Sequence, residues 1–271
     1  MITWSNFIWF AVPAVALAVG ASVVSLCAND HWSASSLRYR RRRSLALAMS
    51  FGALAVLTAF IVGLWMSLER PPMRTMGETR LWYSFFAILA GLLTYLKWRY
   101  RWIMSFSTML ATVFIVLNLT RPEIHDQTLM PALQSLWFVP HVSVYMFSYS
   151  LLGCATLLSA VALVRKSTDM DMAIERLLYA GLAFLSVGML TGALWAKDAW
   201  GAYWSWDPKE SWAAATWGLY LIAIHLAPSV MNTSRRWVYH TIILLGFLAL
   251  QMCWYGINYL PSAATSVHVY G

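Results

Sequence analysis

Hydropathy constrains this chain before anything else does. Eight apolar segments can be read, at roughly 5–28, 44–68, 81–96, 102–118, 141–164, 177–196, 212–229 and 237–257. A helix rises about 1.5 Å per residue, so about twenty apolar residues cross about 30 Å of hydrocarbon. Most of the segments reach that length; the third and fourth fall short of it. Those two are joined by the basic link Lys97-Trp98-Arg99-Tyr100-Arg101, which reads as a hairpin between helices. Of the 271 residues 60% are apolar and only 11% charged, where soluble domains carry about a quarter. The mean hydropathy is +0.61. The expectation is an all-α, polytopic membrane protein of about eight transmembrane helices, with no room for a large soluble domain. The first segment has no basic residue before it and no clear small-residue cleavage site, so it reads as a helix rather than a signal peptide.

Charge supplies an orientation. Alternate connections hold Arg38, Arg40 to Arg43, Lys97, Arg99, Arg101, Arg165, Lys166, Arg176, Arg235 and Arg236, against Asp30, Asp169, Asp171 and Glu175. The other connections hold Arg70, Arg74, Arg80, Arg121, Lys197 and Lys209, against seven acids. The positive set belongs in the cytoplasm. Both termini, and loops 69–80, 119–140 and 197–211, are then expected outside. The net charge of +8 is thus a topology signal. The Arg40–Arg43 run reads as an anchor beside anionic headgroups rather than a nucleic-acid site. No internal repeat, glycine-rich phosphate loop or Walker motif occurs, which argues against ATP use by the chain itself. Cys27, Cys154 and Cys253 lie far apart in apolar stretches with no CxxC pair. A disulfide framework, a zinc ribbon and covalent c-type heme on this chain are disfavoured.

Tryptophan is the surplus residue. Six of the 16 fall between positions 195 and 217: Trp195, Trp200, Trp204, Trp206, Trp212 and Trp217. An aromatic belt at the membrane interface would spread over all helix ends. This density favours a platform for a large planar apolar ligand with a polar edge. Asp207, Pro208 and Glu210 fit an N-cap, first helical position and third position, close to a capping box. The carboxylates either fix that helix start or also serve a ligand. Lys209 opposes the helix dipole there, which suits an approaching anionic group such as a propionate or phosphate.

Six histidines occur. His141, at the outer end of helix five, and His268, in the outer C-terminal tail, share the level of the tryptophan platform. Two imidazoles flanking a planar platform suggest bis-histidine ligation of an iron porphyrin. His225 lies about 13 residues into helix seven, roughly 20 Å below that surface, and cannot ligate the same iron. It is a functional candidate by its depth, or an imidazole hydrogen-bonded to a neighbouring helix. His240 and His31 read as interfacial. His125, in an outer loop with Glu123 and Asp126, is the main rival to His141.

The stretch Trp200-Gly-Ala-Tyr-Trp204-Ser-Trp206-Asp-Pro-Lys-Glu-Ser-Trp212 resembles the WWD signature of the heme-handling proteins of cytochrome c biogenesis. Its Asp-Pro-Lys-Glu ending resembles the CcsA (ResC) branch of the System II pathway. Leu133-Gln-Ser-Leu-Trp137-Phe-Val-Pro-His141 resembles the segment leading into that family's first external histidine. Ser266-Val-His268-Val-Tyr270-Gly271 resembles the Gly-Leu-His-Ser-Tyr segment of the second, with serine where the family has glycine. His225 matches the membrane-embedded histidine. The resemblance covers about residues 130–271, which divides the chain into N-terminal transmembrane helices (1–130) and a heme-handling region (131–271).

The resemblance implies a chain that receives heme b and holds it on the outer face for attachment to the CxxCH of apocytochrome c. His141 and His268 would ligate the iron. Trp200, Trp204, Trp206 and Trp212 would contact the macrocycle, with Asp207 and Lys209 near its edge. His225 would belong to an inner heme site shared with a CcsB (ResB)-like membrane partner, the two chains forming a cytochrome c heme lyase. A bacterial inner membrane is favoured over a thylakoid. Two rivals stand beside this reading. A membrane electron-transfer subunit with permanent b-type heme would need paired histidines at two depths, and only His225 is clearly deep. A structural or transport subunit with an aromatic belt would bind no heme.

Overall fold

A computed structural model describes residues 1–27, 37–125, 131–231, 233–254, 256–261 and 266–267. Among them eight helices are long and apolar enough to cross a membrane. They are α1 (Phe7–Leu26), α2 (Leu37–Leu68), α3 (Met76–Trp98), α4 (Arg101–Thr120), α5 (Phe138–Arg165), α6 (Asp171–Trp200), α7 (Pro208–Val230) and α8 (Arg236–Trp254). No strand occurs among the described residues. Helices suit this setting because each satisfies its own backbone polar groups without water.

The two segments that read as short are full-length helices of 23 and 20 residues. The missing turns are polar, so hydropathy does not count them. At the start of α3, Thr75 and Glu78 form a capping box, and Glu78 is fully buried. Arg70 donates two hydrogen bonds of 2.9 Å to it, and the Arg74 backbone adds a third at 2.7 Å. The α3–α4 link is as tight as its sequence suggests: Arg99 ends α3 in the left-handed region (φ 61°) and α4 begins at Arg101.

The chain forms two compact units, Met1–Thr128 and Leu129–Gly271. In the first, α1 packs against α2 and α4, and α3 against α4. Phe7, Ala11, Ala14, Ala18, Ala21 and Ser25 are buried along α1, at alternating steps of four and three. Ala46, Ser50, Ala53, Leu57, Phe60 and Leu64 repeat the same steps on α2. This is the heptad seam of two helices in left-handed contact, and small residues on one side let the backbones approach. Ser22 and Thr108 share a buried hydrogen bond of 2.9 Å between α1 and α4.

In the second unit α5 is the central helix, lying between α6 and α8, and α7 pairs with α8. The Ser148 hydroxyl donates to the Gly181 carbonyl at 2.7 Å, and the Trp217 indole donates to Ser186 Oγ at 2.9 Å. One end of the unit is closed by Arg236, at the start of α8, which pairs with Asp171 at the start of α6. The opposite end gathers the starts of α5 and α7 and the ends of α6 and α8.

Candidate functional site

That opposite end holds most of the residues singled out from the sequence. His141 sits in the first turn of α5. Its Nδ1 lies 2.8 Å from the Gly188 carbonyl of α6. A carbonyl can only accept, so the proton is on Nδ1 and the lone pair is on Nε2. This is the arrangement that orients metal-ligating histidines through their second nitrogen. Trp195 stacks on the imidazole at 5.4 Å and 26°, and Tyr145 meets it edge-on at 4.5 Å. Two glycines one helical turn apart make room for this. A Cβ at Gly192 would lie 2.7 Å from His141 Cε1 and Nδ1, and one at Gly188 would lie 2.8 Å from the Tyr145 ring. The Gly188-Met-Leu-Thr-Gly192 spacing is the small-residue signal for close helix approach, and the reading by motif passed over it.

The tryptophans divide between helix and loop. Trp195 and Trp200 belong to the last turns of α6, which runs to Trp200 rather than ending near 196. Trp195 is buried; its indole donates to the Ala132 carbonyl at 2.6 Å, and Trp200 meets it edge-on at 4.8 Å. Gly201 then takes φ 83° and closes the helix. Trp204 and Trp206 stand nearly perpendicular at 5.7 Å in the following loop. Trp206 is 72% exposed and its backbone is left-handed (φ 57°), a conformation costing about 1–3 kcal/mol in a bulky residue. Glu210 holds it there. One oxygen, Oε2, accepts the Ser205 N–H at 2.8 Å and the Asp207 N–H at 3.1 Å, the residues on either side of the indole.

Asp207 and Glu210 do form a capping box at the start of α7, with Pro208 in the first turn. Asp207 is 6% exposed. Its Oδ1 accepts the Lys209 N–H at 2.9 Å and the Ser266 hydroxyl at 3.1 Å; its Oδ2 accepts the Val267 N–H at 2.8 Å. The Cys253 thiol of α8 donates to the Lys209 carbonyl at 3.4 Å. Trp212, in the first turn of α7, is half-buried.

His268 and His31 lie outside the described residues. His225 is not part of this cluster. With α7 starting at Pro208, it lies about 26 Å along the helix, deeper than the segment bounds suggest. It is exposed, and its Nδ1 donates to the Leu221 carbonyl at 2.9 Å within α7, not to a neighbouring helix. It therefore shares the Nδ1–H tautomer of His141. His240 is buried in α8, 3.8 Å from Asp171. His125, the rival to His141, belongs to the first unit. It stacks on Trp4 at 3.9 Å and reaches Asn118 Oδ1 at 3.1 Å. Burial holds its imidazole below the usual range, with Glu78 and Glu123 pulling the other way.

A porphyrin supplies four equatorial nitrogens, so its iron asks the chain only for axial ligands. His141, with Nε2 as its acceptor and the Trp195 indole stacked on it, fits that demand. A protein-family model described as cytochrome C assembly protein matches residues 72–264. The cytochrome c biogenesis protein CcsA of Pelargonium hortorum is 31% identical over 268 residues, covering 79% of this chain and 82% of the relative. That of Trachelium caeruleum is 30% identical, over 79% of this chain and 82% of its own length. That of Zea mays is 29% identical over 312 residues, covering 93% and 94%.

Proposed function

The chain belongs to the cytochrome c assembly protein family, alongside the CcsA proteins, and from that premise we propose that it holds heme for attachment to apocytochrome c. Cytochrome c biogenesis and a multi-pass membrane location follow from the family and the eight helices. The finer reading is that heme b rests at the tryptophan-rich end of the second unit. The observation that carries it is the hydrogen bond from His141 Nδ1 to Gly188, which in the neutral ring puts the lone pair on Nε2.

In this reading His141 and His268 are the two axial ligands. Trp200, Trp204, Trp206 and Trp212 offer apolar faces to the macrocycle, and Asp207 and Lys209 stand at its polar edge. His225, with its Nε2 on an exposed face of α7, belongs to an inner site completed by a CcsB (ResB)-like partner. The heme end faces the outside of a bacterial inner membrane, as the loop charges favour. Attachment adds each CxxCH thiol across a heme vinyl: sulfur bonds to one vinyl carbon and the proton goes to the other. The chain's own work is to orient the vinyls and keep the iron ligated until the apocytochrome histidine displaces one ligand.

Purification from heme-replete cells followed by absorbance spectroscopy tests the ligand pair. The wild type is expected to carry six-coordinate heme, and His141→Ala and His268→Ala to lose or change it. If all three lack heme, or all three hold it equally, the ligand assignment is wrong.

A further inference from the structure

We propose that the Asp207 carboxylate is a clasp that fixes the C-terminal segment through Ser266 and Val267 and thereby sets where His268 begins. Asp207, at the polar edge of the heme site, thus acts also as a positioning residue for the second ligand. The proposal rests on the reading of His268 as an axial ligand.

Among the described residues four donors converge on this buried side chain. Two are the Lys209 and Glu210 N–H groups of its own helix; the other two come from residues 59 and 60 positions further along. An ionised carboxylate has about four lone-pair sites on two oxygens, so it can cap a helix and hold a distant strand of chain at once. The helix start supports the negative charge, since exposed N–H groups and the dipole both favour an anion there. The bond to Val267 matters most. It is made by backbone, so it fixes the main chain itself. The next Cα is only about 3.8 Å away, and that residue is His268. The same Asp207 immediately follows Trp206, whose backbone Glu210 clamps. One short loop therefore sets both the exposed indole and the origin of the second histidine.

The test uses the full chain purified with heme, in four forms: wild type, His268→Ala, Asp207→Asn and Val267→Pro. The Lys209 and Val267 N–H groups bond to different oxygens of Asp207, and asparagine keeps only one oxygen, so one of the two bonds is lost. Proline removes the donor and leaves Asp207 and the helix cap intact. Each variant is expected to lose the six-coordinate spectrum as His268→Ala does, and each is expected to regain it with added imidazole, which replaces a missing ligand. In heme-free protein, the Val267 amide of Asp207→Asn is expected to exchange its hydrogen about tenfold faster than in wild type. Wild-type spectra for Asp207→Asn and Val267→Pro beside an altered His268→Ala would overturn the clasp and leave the ligand reading standing. So would imidazole rescue of His268→Ala alone, which would mark a structural role for Asp207, or an unchanged exchange rate at Val267. A wild-type spectrum for His268→Ala would remove the ligand reading, and the clasp's role with it.

Discussion

A single hydrogen bond decides what His141 can do. Its proton is committed to a carbonyl, and the carbonyl belongs to a glycine because a side chain at position 188 would strike Tyr145. Gly192, one turn on, is the sharper point of control. Replacing it with alanine puts a methyl 2.7 Å from the imidazole, so the ring or α6 must move. We expect Gly192→Ala to destabilise the protein by about 1–3 kcal/mol and to disturb heme ligation as His141→Ala does. Unfolding in detergent, read beside the absorbance spectrum, checks both; an unshifted spectrum would mean the ring does not ligate. Residue types at this scale were legible: His141, the tryptophans and the Asp207–Glu210 cap stood out by type and spacing. Their partners were not. Ser266 and Val267 reach Asp207 across 59 and 60 positions, and a backbone N–H leaves no mark on a sequence. The exposure of His225 was equally hidden, because it depends on which face of α7 meets α8.

At the scale of elements, hydropathy located the helices well and their ends poorly. The ends are where polar residues cap, pair and continue a helix that the apolar average has already abandoned. Glu78 in α3 and the seven residues Leu37–Arg43 at the start of α2 are such cases. The closure of the second unit away from the tryptophan-rich end is another. Arg236 meets Asp171 with two nitrogens and also reaches the Ser167 carbonyl, joining α8 to α6. The side chains are 15% and 21% exposed, so solvent screens part of the attraction. Arg236→Ala is expected to cost about 1.5–3 kcal/mol, and Arg236→Lys less, since lysine keeps the charge and loses the paired geometry. Unfolding midpoints in mixed detergent would settle this; equal values for all three proteins would show that the pair contributes nothing.

For the whole molecule the loop charges make the firmest commitment. They put Ser205, in the tryptophan loop, outside and Arg235, before α8, inside. In a background with Cys27 replaced by serine, Ser205→Cys is expected to react with a membrane-impermeant maleimide on intact cells. Arg235→Cys should react only after the membrane is opened. The reverse pattern would turn the protein over and move the heme end to the cytoplasm.

The placement of the cysteines carries a further consequence. Cys154 is buried within α5, the Cys253 thiol is engaged by a main-chain oxygen of α7, and Cys27 follows the end of α1 in the other unit. A protein that presents reactive vinyl groups to a client's thiols risks alkylating itself. Under the proposed function, the Cys253 thiol at the tryptophan-rich end donates to a main-chain oxygen, which engages that sulfur beside vinyl groups meant for the client's thiols.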